Sequence, residues 1–199
     1  MKLILSEEQQ FLKDTAQSFA RDKTPTNHFR KLRDDGNAKC WDDSIWQEMV
    51  QLGWSGILVP EEFGGSDFGI AGISVIMQEL GKTLTPSPLL ATSVLGVSTI
   101  KLLGSDEQKK NYLPKIVSGE ATTALAVDEG NHHSPFDIEA TATLEDDKWI
   151  LNGQKVFIID GASADFILIV ARTSGKKGES NGLSVFIADK NSTGLEVSQ

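Results

Sequence analysis

Hydrophobic positions in the first 120 residues recur every three to four residues, a spacing that predicts helices. Ser6 and Gln9 form the pattern of a capping box at the start of the first helix. A second helix is expected to begin after Asp42, a third to cover residues 69–82, and a later one to stop at Gly104. The serine that follows Gly104 is expected to cap the last helix. The region to about residue 120 is therefore predicted to be all-helical.

After Gly119 the hydrophobic period changes to two and β-branched residues become frequent, so short antiparallel strands are predicted. The predicted strands cover residues 122–127, 138–145, 148–151, 155–159, 165–172 and 183–188. Asn152-Gly153 predicts a type I′ hairpin turn and Asp146-Asp147 a looser one, whereas the composition of residues 174–181 predicts a mobile loop. The expected fold class is α+β, with a helical domain at 1–120 and an antiparallel β-barrel domain at 121–199.

Composition restricts the classes of function. The chain has 199 residues, of which 39% are hydrophobic, enough for a real core. A net charge of −9 with scattered cations argues against a nucleic-acid partner. No uncharged apolar run approaches the ~20 residues that cross a bilayer, so no membrane association is expected. The single cysteine, Cys40, suits a cytoplasmic protein, and the adjacent His132 and His133 lack the further ligands of a metal site.

A series of short motifs resembles the acyl-CoA dehydrogenases in order and spacing over essentially the whole chain. In the helical region they are Leu5-Ser6-Glu7-Glu8-Gln9, Leu52-Gly53-Trp54, Pro60-Glu61-Glu62-Phe63-Gly64-Gly65, Glu79-Leu80-Gly81-Lys82 and Gly104-Ser105-Asp106-Glu107-Gln108-Lys109. They continue with Leu113-Pro114-Lys115-Ile116, Leu151-Asn152-Gly153-Gln154-Lys155, Ala164-Asp165 and Val170-Ala171-Arg172-Thr173. The chain is identified on these motifs as similar to that family.

The resemblance implies a helical N-terminal domain, a β-barrel middle domain and a helical C-terminal domain, with FAD bound between the last two and across a subunit boundary. The chain is therefore expected to be a truncated form that lacks the C-terminal domain and the last barrel strands. The implied reaction is α,β-dehydrogenation of an acyl-CoA thioester, with an electron-transfer flavoprotein or similar acceptor and a homo- or hetero-oligomeric assembly. The catalytic glutamate of the family normally lies in the C-terminal domain, so the catalytic residue is unknown here.

The resemblance places the flavin contacts at two segments and the substrate contacts beside the first. The implied cofactor-binding residues are Leu125, Ala126, Val127, Phe157, Ile158 and Ile159, and the implied substrate-binding residues are His133 and Ser134. Both segments depart from the family pattern: residues 127–134 lack its Thr-Glu-Pro and Gly-Ser-Asp elements, and Phe157-Ile158-Ile159-Asp160 replaces Trp-Ile-Thr-Asn or Trp-Ile-Thr-Ser.

Two interpretations of these departures stay open. Flavin contact through backbone N–H groups survives side-chain substitution, because every residue except proline has a donor. The altered segment also resembles a divergent branch that includes small subunits of heteromeric acyl-CoA dehydrogenases, such as the pimeloyl-CoA enzyme. The alternative function is a non-catalytic partner subunit that keeps the scaffold and has lost the flavin site.

Overall fold

A computed structural model of the chain describes residues 4–198, which divide into two compact units at Glu120 and Ala121. The first unit is helical and the second contains a mixed sheet. The fold class is therefore α+β. No helix among residues 4–198 is long and apolar enough to span a bilayer.

The helices of the first unit follow the amphipathic pattern of the sequence. They are α1 (Glu7–Lys23), α2 (Thr26–Asp34), α3 (Asp43–Gln51), a 3₁₀ turn (Glu61–Phe63), α4 (Ile70–Lys82), a π-helix (Leu89–Gly96), α5 (Val97–Leu103) and α6 (Asp106–Val117). The capping box at α1 is confirmed, since Ser6 Oγ accepts from the Gln9 amide at 3.2 Å and Gln9 Oε1 accepts from the Ser6 amide at 3.1 Å. α2 lies where the sequence showed no clear period.

α1 packs along α4 in the core of this unit. Phe19 of α1 meets the buried Trp54 edge to face, with ring centroids 5.1 Å apart. The π-helix places Ser93 in the interior with no hydrogen-bond partner for its hydroxyl among the described residues. These contacts give the helical unit its own core.

The second unit is a five-stranded sheet built around one central strand. Its strands are β1 (Thr123–Ala126), β2 (Thr141–Glu145), β3 (Lys148–Asn152), β4 (Phe166–Arg172) and β5 (Leu183–Asp189). β4 pairs with β1 in parallel along one edge and with β5 antiparallel along the other. β2 joins the same edge as β1 through a single parallel pair, Thr141 with Arg172, and β3 completes a hairpin with β2.

The prediction of an antiparallel barrel is wrong for the described residues, because the sheet is mixed and does not close. β4 is almost continuously apolar and mostly buried, as strands covered on both faces are. The predicted strand at 155–159 does not form, and Phe157 there has a left-handed backbone with φ of 55°. The predicted turn at Asp146-Asp147 is confirmed, since it joins β2 to β3 and both residues have the positive φ of a type I′ turn. The hairpin predicted at Asn152-Gly153 does not form, because no strand follows it at 155–159.

Candidate functional site

An exposed apolar strip runs through residues 157–159, in the segment that joins β3 to β4. The side chain of Phe157 is 76% exposed and that of Ile159 is 48% exposed. A bulky residue with a left-handed backbone costs about 1 kcal/mol or more. Because Phe157 is mostly exposed, packing within the described residues offsets little of that cost, and such an arrangement is typical of a position that contacts a ligand.

The backbone of this strip also has free donors. Among the hydrogen bonds of the described residues, none is donated by the amides of residues 157–159, whereas the preceding amide of Val156 donates to the carbonyl of Asp128 at 2.8 Å. Exposed amides next to an apolar side chain are suited to a flat heteroaromatic ring with acceptor atoms at its rim.

The end of β1 lies beside this strip. Lys155 Nζ donates to the carbonyl of Val127 at 2.9 Å, and the Val156 amide bonds Asp128. These two contacts bring together the segments that the sequence predicted as flavin contacts, Leu125 to Val127 and Phe157 to Ile159. Leu125 and Val127 are half-buried and Ala126 is buried, so mainly the backbone of this first segment is available to a ligand.

A buried ion pair holds the two segments. Lys155 Nζ lies 2.6 Å from Glu129 Oε1, and their side chains are only 7% and 13% exposed. The Glu129 carboxylate also accepts from the amides of Glu139 at 2.6 Å and Ala140 at 3.0 Å. Burial acts to raise the pKa of Glu129, but the bonds from Lys155 and the two amides outweigh it and the pKa lies below its ordinary value. The carboxylate is therefore ionised at neutral pH.

The loop that follows β1 is organised around Asp128. His133 Nδ1 lies 3.0 Å from Asp128 Oδ2, and the Ser134 amide donates to Oδ1 at 3.1 Å. The hydrogen bond from His133 lowers the pKa of Asp128. Because an ionised carboxylate only accepts, Nδ1 is assigned the hydrogen and Nε2 is left for other partners. The two predicted substrate contacts, His133 and Ser134, are thus joined to the first flavin segment through Asp128.

The far end of the same loop is fixed by Arg172. Its buried guanidinium donates to five carbonyl groups at 3.0–3.4 Å, and no carboxylate is among these five acceptors. The carbonyls belong to Phe136, Ile138, Ser174, Glu179 and Asn181. The β4–β5 connection, predicted from composition to be mobile, is therefore fastened to the loop that carries His133 and Ser134.

Asp160 follows the apolar strip, also with a left-handed backbone (φ 57°). Burial raises the pKa of its carboxyl group from 3.8 to about 6. The sequence indicated neither this carboxyl nor the roles of Asp128, Glu129, Lys155 and Arg172. These roles are hard to read from the sequence, since Asp128, Glu129, Lys155 and Arg172 depend on partners that lie up to 36 residues away along the chain. No group of three or more metal-ligating side chains occurs in the part of the chain that the structure describes.

Two family profiles together match nearly the whole chain. The acyl-CoA dehydrogenase N-terminal domain matches residues 6–120, and the acyl-CoA dehydrogenase middle domain matches residues 124–199. The chain belongs to the acyl-CoA dehydrogenase family.

Individual relatives agree with this assignment. "Isovaleryl-CoA dehydrogenase, mitochondrial" of Arabidopsis thaliana is 32% identical over 200 residues, which cover 99% of this chain and 48% of that protein. The solved FAD complex of PigA is 28% identical, with a TM-score of 0.84, and the match covers all of this chain and 52% of that one. A variant of the Tcur3481-Tcur3483 steroid ACAD is 25% identical, with a TM-score of 0.80 over 93% of this chain and 48% of that one. The chain thus spans about half the length of the relatives it matches.

The residues of the second unit fit a flavin ring by chemistry. Phe157 and Ile159 present apolar surface, and the amides of residues 157–159 are free to donate. Ile159 has no side-chain donor where the family pattern usually has threonine, so only the backbone is available for hydrogen bonds there.

Proposed function

We propose that the protein is an FAD-dependent acyl-CoA dehydrogenase, or a subunit of one, that introduces an α,β double bond into an acyl-CoA thioester. The observation that carries the proposal is the strip at Phe157 and Ile159, where apolar side chains are exposed on a strained backbone beside the end of β1. The names of the relatives support a CoA thioester as substrate and FAD as cofactor.

The residues of this chain have binding roles in the proposed site. Phe157 covers one face of the flavin ring, while the free amides near Ile159 and the backbone of residues 125–127 face its polar rim. His133 and Ser134 contact the acyl-CoA substrate. Bound FAD supplies the acceptor for the hydride that leaves the β carbon. No carboxylate of residues 1–199 is assigned as the catalytic base, and an electron-transfer flavoprotein or similar acceptor and a homo- or hetero-oligomer complete the proposed system.

The test compares two exposed aromatic residues of the sheet unit in protein made from its complete reading frame. Phe157→Ala is expected to weaken FAD binding by roughly tenfold, because an aromatic contact is worth about 1 kcal/mol beyond its buried area. Trp149→Ala is the matched control, since Trp149 is 47% exposed and lies on β3, outside the strip. Flavin fluorescence quenching measures both affinities.

A second measurement tests the reaction itself. Under anaerobic conditions, acyl-CoA thioesters of increasing chain length should bleach the visible flavin band of the purified parent protein. A flavin-loaded protein that no thioester bleaches contradicts the dehydrogenase function. Equal FAD affinities for Phe157→Ala and the parent contradict the placement of the flavin on the strip.

The second candidate function is a non-catalytic partner subunit. It is favoured by Ile159, which stands where the family pattern usually has threonine, and by residues 127–134, which lack the Thr-Glu-Pro and Gly-Ser-Asp elements. Copurification with the product of a neighbouring gene distinguishes the two functions. Stoichiometric flavin in this chain's own subunit excludes the partner role, whereas flavin found only in the neighbouring subunit supports it.

A further inference from the structure

The contacts of Lys155 reach three separate pieces of the sheet unit. Its ammonium group donates to Val127 at the end of β1 and to Glu129 in the loop, and its backbone leads directly into Val156 and Phe157. Glu129 in turn accepts from the amides that precede β2. One ion pair therefore links the end of β1, the loop and the segment that leads into the apolar strip.

This pair is not explained by stability alone. Replacing a buried ion pair with apolar side chains is often neutral or stabilising, because both charges lose their hydration on burial. Burial is also the main factor that lowers the pKa of Lys155. The two charged groups instead fix the geometry of their surroundings. Together they make four hydrogen bonds of 2.6–3.0 Å, to Val127, Glu139, Ala140 and each other.

We infer that Glu129 and Lys155 are positioning residues, which hold the end of β1 and the strip at residues 157–159 at the separation that a flavin ring requires. The inference rests on the proposed function, and it assigns neither residue a contact with the cofactor. The free amides of the strip follow within four residues of Lys155, so a shift of Lys155 moves them directly.

The first test needs no cofactor. In the protein made from its complete reading frame and freed of flavin, Lys155→Met and Glu129→Gln should raise hydrogen exchange at the amides of Glu139, Ala140 and Val156. Ile167→Val is the control, because it removes one methylene from a buried side chain of β4 and leaves these bonds intact. Unchanged exchange at the three amides in both ion-pair variants overturns the inference.

The second test measures FAD affinity by fluorescence quenching. Lys155→Met is expected to raise the Kd for FAD about tenfold, because the segments lose two directed bonds, while Ile167→Val stays within about twofold of the parent. Should Lys155→Met fail to fold, Glu129→Gln replaces it, since glutamine keeps the shape and one acceptor oxygen. An unchanged Kd, or an equal loss in Ile167→Val, overturns the inference.

The double variant Glu129→Gln/Lys155→Met tests whether the two residues act together. A Kd within about twofold of that of Lys155→Met supports one coupled unit, whereas independent losses that multiply contradict it. If the parent protein binds no FAD, the proposed function fails, and the exchange measurement still decides whether the pair holds the two segments.

Discussion

The fold disfavours the ionised form of the Asp160 carboxyl group. Burial raises its pKa from 3.8 to about 6, and no cation is among the causes of the change. The backbone at this position has φ of 57°, a conformation that asparagine tolerates as well as aspartate does. Asp160→Asn therefore removes the charge with little change in shape or backbone preference, and asparagine is a residue that the family pattern often has here.

The magnitude follows from proton linkage. A carboxyl whose pKa is higher in the folded state than in the unfolded chain binds its proton more tightly when folded, so ionisation favours unfolding. The penalty is absent well below pH 4, grows as the pH rises through the two pKa values, and is nearly complete above about pH 6. The two values differ by about two pH units, which at about 1.4 kcal/mol each gives about 3 kcal/mol as an upper limit. Partial exposure reduces this to roughly 1–2 kcal/mol.

Hydrogen exchange of the β4 amides measures this stability within the sheet unit. Asp160→Asn should be more stable than the parent by roughly 1–2 kcal/mol at pH 7.5 and by only about a third of that gain at pH 4.5, where the unfolded carboxyl is largely ionised and the folded one still holds its proton. Comparison at the same pH cancels the intrinsic exchange chemistry and the titration of the other carboxyl groups. Asp147→Asn is the matched control, because Asp147 is exposed and also has a left-handed backbone (φ 63°).

The pH dependence, not the stability gain alone, decides the argument. A gain that is equal at pH 4.5 and pH 7.5 would come from backbone preference or packing, and it would refute the assignment of a buried, destabilised carboxylate. A parent protein that is the more stable of the two at pH 7.5 would refute it as well, since it would show an unrecognised favourable partner for the ionised Asp160.

Two further substitutions test other parts of the structure. Arg172→Lys should lower the free energy of unfolding by roughly 2–4 kcal/mol, because lysine has three donors for five carbonyls. The control Arg33→Lys, at an exposed position, should change the free energy of unfolding little, and urea unfolding measures both. Leu84→Gly should stabilise the helical unit by about 1 kcal/mol, since Leu84 is exposed with φ of 57° after α4, and a lower melting temperature would contradict that reasoning.

Local signals in the sequence predicted the helical unit well. The capping boxes at Ser6 and Ser105 both form, because such caps depend only on residues three positions apart. The sheet was harder, since pairing depends on contacts between distant segments. The continuous apolar run of β4 indicated a strand that is buried on both faces, which is typical of a strand with a parallel neighbour such as β1 and not of an antiparallel barrel.

The misassigned segment at 155–159 shows why the candidate site was the least predictable part of the sheet unit. Its β-branched and aromatic residues favour a strand, but the Lys155 side chain is buried against Glu129 and Phe157 is exposed with a left-handed backbone. Both placements are unfavourable on their own, because lysine is rarely buried and an exposed phenylalanine with a left-handed backbone is strained. Two such departures within three residues are expected where a segment is shaped for a ligand, so the failure of the strand prediction here supports the proposed site.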